Sequence, residues 1–145
     1  MSYLLDTCIL SKLRKIKAHP HKGLEAWIAK HPETSYYIHV LSIGEIQKGI
    51  AKLSSLEHKH KMILEDWLVG DLIPRFDGRI LPIDTQTATI WGNICGNAQK
   101  KGVLCPVIDS LLAASAIQHQ LILVTENSKD FVSTGVQVFN PLQDG

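Results

Sequence analysis

Tyr3-Leu4-Leu5-Asp6-Thr7-Cys8-Ile9-Leu10-Ser11 joins a short apolar run to an aspartate, a hydroxyl residue and the start of a helix-like pattern. Residues 2–5 read as a buried strand, which places Asp6 at its carboxyl end. In an open α/β sheet, chemistry gathers at the carboxyl ends of the strands. Asp6 has a plainer role open to it, as N-cap of the helix that follows. The choice turns on whether other carboxylates converge on the same end.

Working outward, residues 9–16 read as a first helix that ends in the basic cluster Lys12, Arg14, Lys15 and Lys17. Pro20 restarts the chain, and 23–30 is helical with Leu24, Trp27 and Ile28 on one face. Residues 34–40, rich in β-branched and aromatic side chains, form a second strand. Ser42-Ile43-Gly44-Glu45 then has the spacing of a capping box, opening a helix to about Leu53 with Ile43, Ile46 and Ile50 spaced for burial. A further helix spans 56–69; His58 and His60 are two apart, do not face each other on it, and read as surface residues. A third strand covers 79–83, and Asp84 caps a long helix to about Lys101. Pro106 stands before a helix over 107–119 that is apolar nearly all round and therefore buried. A fourth strand covers 121–125 and a fifth 136–139. Strands alternating with helices of this length predict an α/β fold with a mainly parallel sheet of four or five strands and helices on both faces.

The chain of 145 residues is 45% hydrophobic, which suits one domain with a sizeable core. Its formal charge is +1, but residues 1–75 carry eleven Lys/Arg against eight Asp/Glu, and residues 76–145 four against six. A mildly basic half can grip a polyanion, and equally can be a set of solvated helix faces. The three cysteines, Cys8, Cys95 and Cys105, lack paired spacing, so reduced thiols and a cytoplasmic location are expected. No leader-like run precedes Asp6, and no apolar stretch approaches the roughly 18–20 residues of a membrane span.

Asp109 is the most informative carboxylate. It lies in the first turn of an apolar helix, where burial without a partner costs several kcal/mol. The helix N-terminus returns only about 0.3–1 kcal/mol, so a metal, a basic residue or water is required. Glu45 raises the same question after the second strand. Asp6 and Asn127 sit just beyond strand ends, with Asp130 one turn on, and Asp84 reads as an ordinary cap. Carboxylates drawn together repel one another, and a hard divalent cation with oxygen ligands, such as Mg²⁺, resolves that repulsion. No Gly-rich phosphate loop, nucleophile elbow or zinc-binding His pair is present.

The motifs Leu4-Leu5-Asp6-Thr7, Ser42-Ile43-Gly44-Glu45-Ile46 with Gly49, Asp109-Ser110-Leu111-Leu112-Ala113-Ala114, Thr125-Glu126-Asn127-Ser128-Lys129-Asp130-Phe131 and Phe139-Asn140-Pro141 occur in an order that resembles the PIN-domain family. Within it, the chain is similar to the VapC-type toxins of toxin–antitoxin pairs. The resemblance implies a three-layer α/β/α sandwich and a Mg²⁺- or Mn²⁺-dependent endoribonuclease acting on structured, tRNA-like RNA. It also implies a homodimer and a cognate antitoxin that occupies the active groove. The family's acidic site maps to Asp6, Glu45 and Asp109, with Ser42 near the metal. The fourth position falls on Asn127, through its carbonyl, or on Asp130. The chain departs from the family at three positions: Asn127 stands where many relatives have Asp, Glu126 where Arg is common, and Cys8 where Asn usually follows Asp-Thr. The alternative reading is a non-catalytic module of the same fold that binds RNA or protein.

Overall fold

Alternation within three residues divides the core in two. In strand β1 (Tyr3–Leu5), Tyr3 and Leu5 face one hydrophobic cluster and Leu4 the other. Such a strand, buried on both faces, belongs at the centre of a parallel sheet. The computed structural model describes residues 1–143. β1 pairs in parallel with β2 (Tyr36–His39) and β4 (Ile122–Val124), while β3 (Ile80–Leu81) extends the β2 side and β5 (Val138–Phe139) the β4 side. The order is β3-β2-β1-β4-β5. The register sets Tyr3 opposite Tyr36 and Ile122, and Leu5 opposite Val124. The chain runs outward from β1 to β3 and then returns to the other side of β1, so the switch point lies between β1 and β4. Crevices at such points open beyond the carboxyl ends of the strands.

One face of the sheet is covered by α1 (Thr7–Arg14), α2 (Lys22–Lys30), α3 (Val40–Ala51) and α4 (His58–Trp67), the last prolonged by a π-helical turn at Leu68–Leu72 and the short α5 (Ile73–Arg75). Ile9, Leu24, Trp27, Ile50 and Leu68 pack there against Tyr3, Leu5 and Val124. The opposite face is covered by α6 (Thr85–Lys100) and α7 (Val107–Gln118), whose Ile94 and Leu112–Ala116 side pack with Leu4, Leu123 and Phe131. This is the three-layer α/β/α arrangement expected from the sequence.

Several boundaries differ from the sequence reading. α3 begins at Val40, and its N-cap is His39, whose Nδ1 accepts from the Leu41 amide at 3.1 Å. Ser42 and Glu45 are therefore not a capping box: both lie inside the helix, free to point elsewhere. The helical path after Trp67 continues to Arg75, because Gly70 is tolerated in a π turn and Pro74 sits in the first turn of α5. β3 stops at Leu81 because Pro82 cannot donate to a ladder. α7 is not buried all round, since Val107 is 59% and Ile108 and Ile117 are each 38% exposed. Asp84 does cap α6, with Oδ1 accepting from the Thr87 amide.

The cysteines require a correction. Cys95 on α6 and Cys105 just before α7 form a disulfide with Cα atoms 5.6 Å apart, and only Cys8 is a free thiol. The connection between α6 and α7 doubles back along α6, so residues ten apart in sequence meet; spacing alone does not encode that return. Among the described residues, no helix is long and apolar enough to cross a membrane.

His39 ties the two layers together. Fully buried, it caps α3 through Nδ1 and contacts Ser115 Oγ on α7 through Nε2 at 2.8 Å. Burial, and then the nearby His119, push its pKa down to about 4. The unfolded chain thus binds a proton near pH 6.5 that the folded one refuses until about pH 4, so stability is full above pH 6.5 and falls as pH drops through this window. Denaturant titrations at pH 7 and pH 5 should show a loss of about 2 kcal/mol from this residue. In His39→Asn, which keeps a capping side chain, that component of the pH slope should vanish.

Candidate functional site

The carboxyl edge of the sheet receives Asp6 from β1, Thr125 from β4 and, through the helices that start there, Glu45 and Asp109. Asp6 ends β1 and caps α1, so both roles weighed from the sequence apply to one residue. Its amide donates to the Val124 carbonyl, and its own carbonyl accepts from Ile9 and Leu10. Oδ1 accepts from the Thr7 amide at 2.7 Å, and Oδ2 accepts from the Thr125 hydroxyl at 2.7 Å. A carboxylate only 7% exposed is thereby held in one orientation. Cys8 lies beside it, Sγ 3.6 Å from Oδ2. Burial, then the Asp6 charge, push the thiol up to about 11, so Cys8 stays protonated and is a weak donor to Asp6.

Glu45, on the helix that follows β2, is fixed by Thr7 from the end of β1. Thr7 Oγ1 lies 2.6 Å from Glu45 Oε1 and 2.9 Å from Ser42 Oγ. One hydroxyl carries one proton. It goes to the carboxylate, the stronger acceptor, with Ser42 Oγ as the second acceptor within reach of the same proton. Ser42 is fully buried. It supports Thr7 from beneath and does not reach the open side of the site.

Asp109, in the first turn of α7, is half-buried. Its carboxyl is held above the usual carboxylate range by burial, and then by the charges of Asp6, Asp130 and Glu45. Four carboxylates from four separate segments therefore share one electrostatic field. None of the ion pairs among the described residues, Lys12–Glu126, Arg75–Glu33 and Arg75–Asp71, involves them. Next to Asp109, Ser110 is locked by bonds to the Pro106 and Val107 carbonyls and accepts from Trp91 Nε1 at 2.9 Å, which fixes the first turn of α7 against α6.

The segment after β4 separates the two candidates for the fourth position. Asn127 is exposed and precedes a 3-10 turn, Ser128–Thr134, without capping it through its side chain. Its amide donates to Thr125 Oγ1 at 3.0 Å. Asp130, inside that turn and also exposed, is the residue whose charge reaches Asp109. Buried Asn140 steadies the whole segment from the end of β5, donating to the Glu126 carbonyl at 3.2 Å and accepting from the Leu142 amide. Thr7 and Thr125 are the residues to which the sequence reading gave no role. Their signal was present, a hydroxyl directly after each strand end, but the bonds they make span 38 and 119 positions.

The donor set is all hard oxygen and strongly acidic, which fits Mg²⁺ or Mn²⁺ and does not fit zinc. As the side chains stand, no three His, Cys, Asp or Glu among the described residues encircle a single point. A hydrated Mg²⁺, which keeps several waters, needs fewer direct carboxylate ligands than a closed cage would supply.

A parallel sheet in a three-layer α/β/α sandwich with acidic side chains collected at its carboxyl edge defines the structural class. The particular family follows from comparison. The PIN domain model matches residues 3–136, and the chain belongs to that family. It is 33% identical over 141 residues to Toxin FitB of Neisseria gonorrhoeae, covering 97% of this chain and 99% of FitB. It is 27% identical over 138 residues to VapC ribonuclease Y4jK of Sinorhizobium fredii, covering 95% and 96%. The crystal structure of FitAcB from Neisseria gonorrhoeae superposes with a TM-score of 0.86 at 32% identity, covering 97% of this chain and 99% of that one.

Four like charges in one field strain the metal-free protein. Asp109→Asn removes one charge and keeps the shape, so in the presence of chelator it should melt at a higher temperature than the wild type. Thr125→Val should do the opposite: it leaves the buried Asp6 Oδ2 with only the weak Cys8 thiol as donor and lowers stability by about 1–3 kcal/mol. Thermal and urea unfolding of the two variants side by side check both signs.

Proposed function

We propose that this protein is a divalent-cation-dependent endoribonuclease, the toxin of a VapBC-type toxin–antitoxin pair. The observation that carries the reading is that the charges of Asp6, Glu45 and Asp130 all act on Asp109, while none of the ion pairs among the described residues involves the four. The likeness to FitB and to the ribonuclease Y4jK supports it.

In this reading Asp6, Glu45, Asp109 and Asp130 hold Mg²⁺ or Mn²⁺. When bound, such an ion offsets their charge and that of the phosphodiester, and acidifies water at the site. The chain's own part is orientation. Thr125 and the Thr7 amide leave Asp6 a fixed set of free lone pairs, and the Thr7 hydroxyl, backed by Ser42, does the same for Glu45. Asp109 receives no hydrogen bond among the described residues, so its oxygens remain open to the ion and the substrate. Asn127, exposed on the rim, presents an amide that can orient water or a phosphate oxygen. Hydrolysis would be in-line: a water oxygen would bond to phosphorus as the bond to the leaving ribose oxygen breaks, with the water giving up a proton and the leaving oxygen taking one.

A toxin of this kind needs a partner to silence it, and a cognate antitoxin covering the site fills that role. The substrate is structured RNA and the assembly a homodimer; the cytoplasmic location follows from the RNA substrate, since the Cys95–Cys105 bond withdraws the free-thiol argument for it. A second reading, a non-catalytic binder of RNA or protein, draws on the open spacing of the carboxylates and on Asn127.

The test is incubation of the partner-free protein with total bacterial RNA in Mg²⁺, in Mn²⁺ and in chelator. Discrete fragments should appear only with metal, and Glu45→Gln should slow their formation on the order of 100-fold or more while the protein stays folded. Intact RNA under every metal condition would favour the binding module.

A further inference from the structure

The acidic edge opens sideways into a cavity of about 570 Å³ between α1 and the segment that leads into α2. Its walls carry Ser11 and Lys12 from α1, Lys15 at the C-cap of that helix, His19 and His21 from the connection, and Glu126 from the segment after β4. The cavity adjoins the candidate active site through two residues. Cys8, which lines it, has its Sγ 3.6 Å from Asp6 Oδ2, and Glu126 directly follows Thr125, the donor to that same oxygen.

The chemistry of the lining is that of an anion site. Lys12 is paired with Glu126 at 3.6 Å, a half-exposed contact that a stronger anion can displace. Lys15 is exposed and takes part in none of the ion pairs among the described residues. His21 accepts from the Gly23 and Leu24 amides through Nδ1, at 3.1 and 3.3 Å. That fixes its proton on Nε2, so the free end of the ring is a donor. The arginines are committed elsewhere. Arg14 lies over the Trp67 ring, Arg75 pairs with Glu33 and Asp71, and Arg79 donates to the Glu33, Tyr36 and Arg75 carbonyls.

We infer that this cavity is a positioning subsite for the RNA strand, in which Lys12, Lys15 and the His21 Nε2–H hold a backbone phosphate next to the one at the carboxylates. The inference rests on the nuclease reading and deepens it by naming where the strand leaves the acidic pole. Glu126 acts as a counter-charge that occupies Lys12 until a phosphate replaces it. Its removal and the removal of a lysine therefore have opposite effects.

The experiment uses a fluorescein-labelled single-stranded RNA 20-mer and the full chain carrying Glu45→Gln, so that binding is read by anisotropy in Mg²⁺ without cleavage. In that background Lys15→Gln should weaken binding about threefold, the scale of one exposed charge pair. It should also lower the slope of log K against log salt by about 0.7, one lost phosphate contact on a single strand. Glu126→Gln should tighten binding, and Lys100→Gln, at the C-terminus of α6 and outside the cavity lining, serves as the surface-charge control. With Glu45 restored, Lys15→Gln should show its effect mainly in KM. Equal losses from Lys15→Gln and Lys100→Gln would overturn the inference, as would an unchanged salt slope or binding of a protein partner alone through Lys15. Absence of cleavage by the wild type alongside Lys15-dependent RNA binding would uphold the subsite and reject the hydrolase.

Discussion

The hydrogen bond from Thr125 to Asp6 joins the ends of β4 and β1, and the site is arranged around it. It spans the gap where strand order reverses, and it fixes a nearly buried carboxylate that also caps α1. Through the Asp6 amide and carbonyl, the same residue closes the β1–β4 ladder and starts the first helix. A charge so placed is tolerable because each oxygen has a donor. What those donors do not provide is a compensating positive charge. The sheet is thus assembled around an electrostatic deficit, and Glu45, Asp109 and Asp130 deepen it.

That deficit explains the division of labour among the hydroxyl residues. Ser42, Thr7 and Thr125 are neutral and rigidly bonded, and they orient acids without cancelling them. A lysine in any of these places would satisfy the local repulsion and remove the reason for a cation to bind. The basic residues stand instead around the edge: Lys12 and Lys15 beside the site, and Arg14, Arg75 and Arg79 in structural contacts with a ring, carboxylates and carbonyls.

Much of this was legible before the structure. The apolar run Tyr3-Leu4-Leu5, the β-branched and aromatic residues of 34–40, the bracketing Gly78 and Pro82 and the runs at 121–125 and 136–139 placed the strands, because those signals are local. Asp6, Glu45 and Asp109 stood out because each carboxylate sits where an apolar element begins or ends. What escaped was non-local. Ser42 and Glu45 mimic a capping box, but His39 already caps the helix, so their spacing serves Thr7 instead. Cys95 and Cys105 looked unpaired because their meeting depends on the chain doubling back along α6. Asn127 and Asp130 read alike in the sequence, because the effect of the Asp130 charge on Asp109 depends on how the 3-10 turn packs beside α7.

The Cys95–Cys105 bond changes what a protease can accomplish. The segment it encloses includes Val103 and Leu104, the latter 88% exposed, and an exposed apolar loop is a natural cleavage point. A cut there would leave α6 and α7 in one covalent molecule, since the bond bridges the nick, and the turn that presents Asp109 would remain tethered to the rest of the sheet. The nicked protein would run as a single species until reduced, then as two fragments. Backbone integrity and molecular integrity are, in this part of the chain, separate properties.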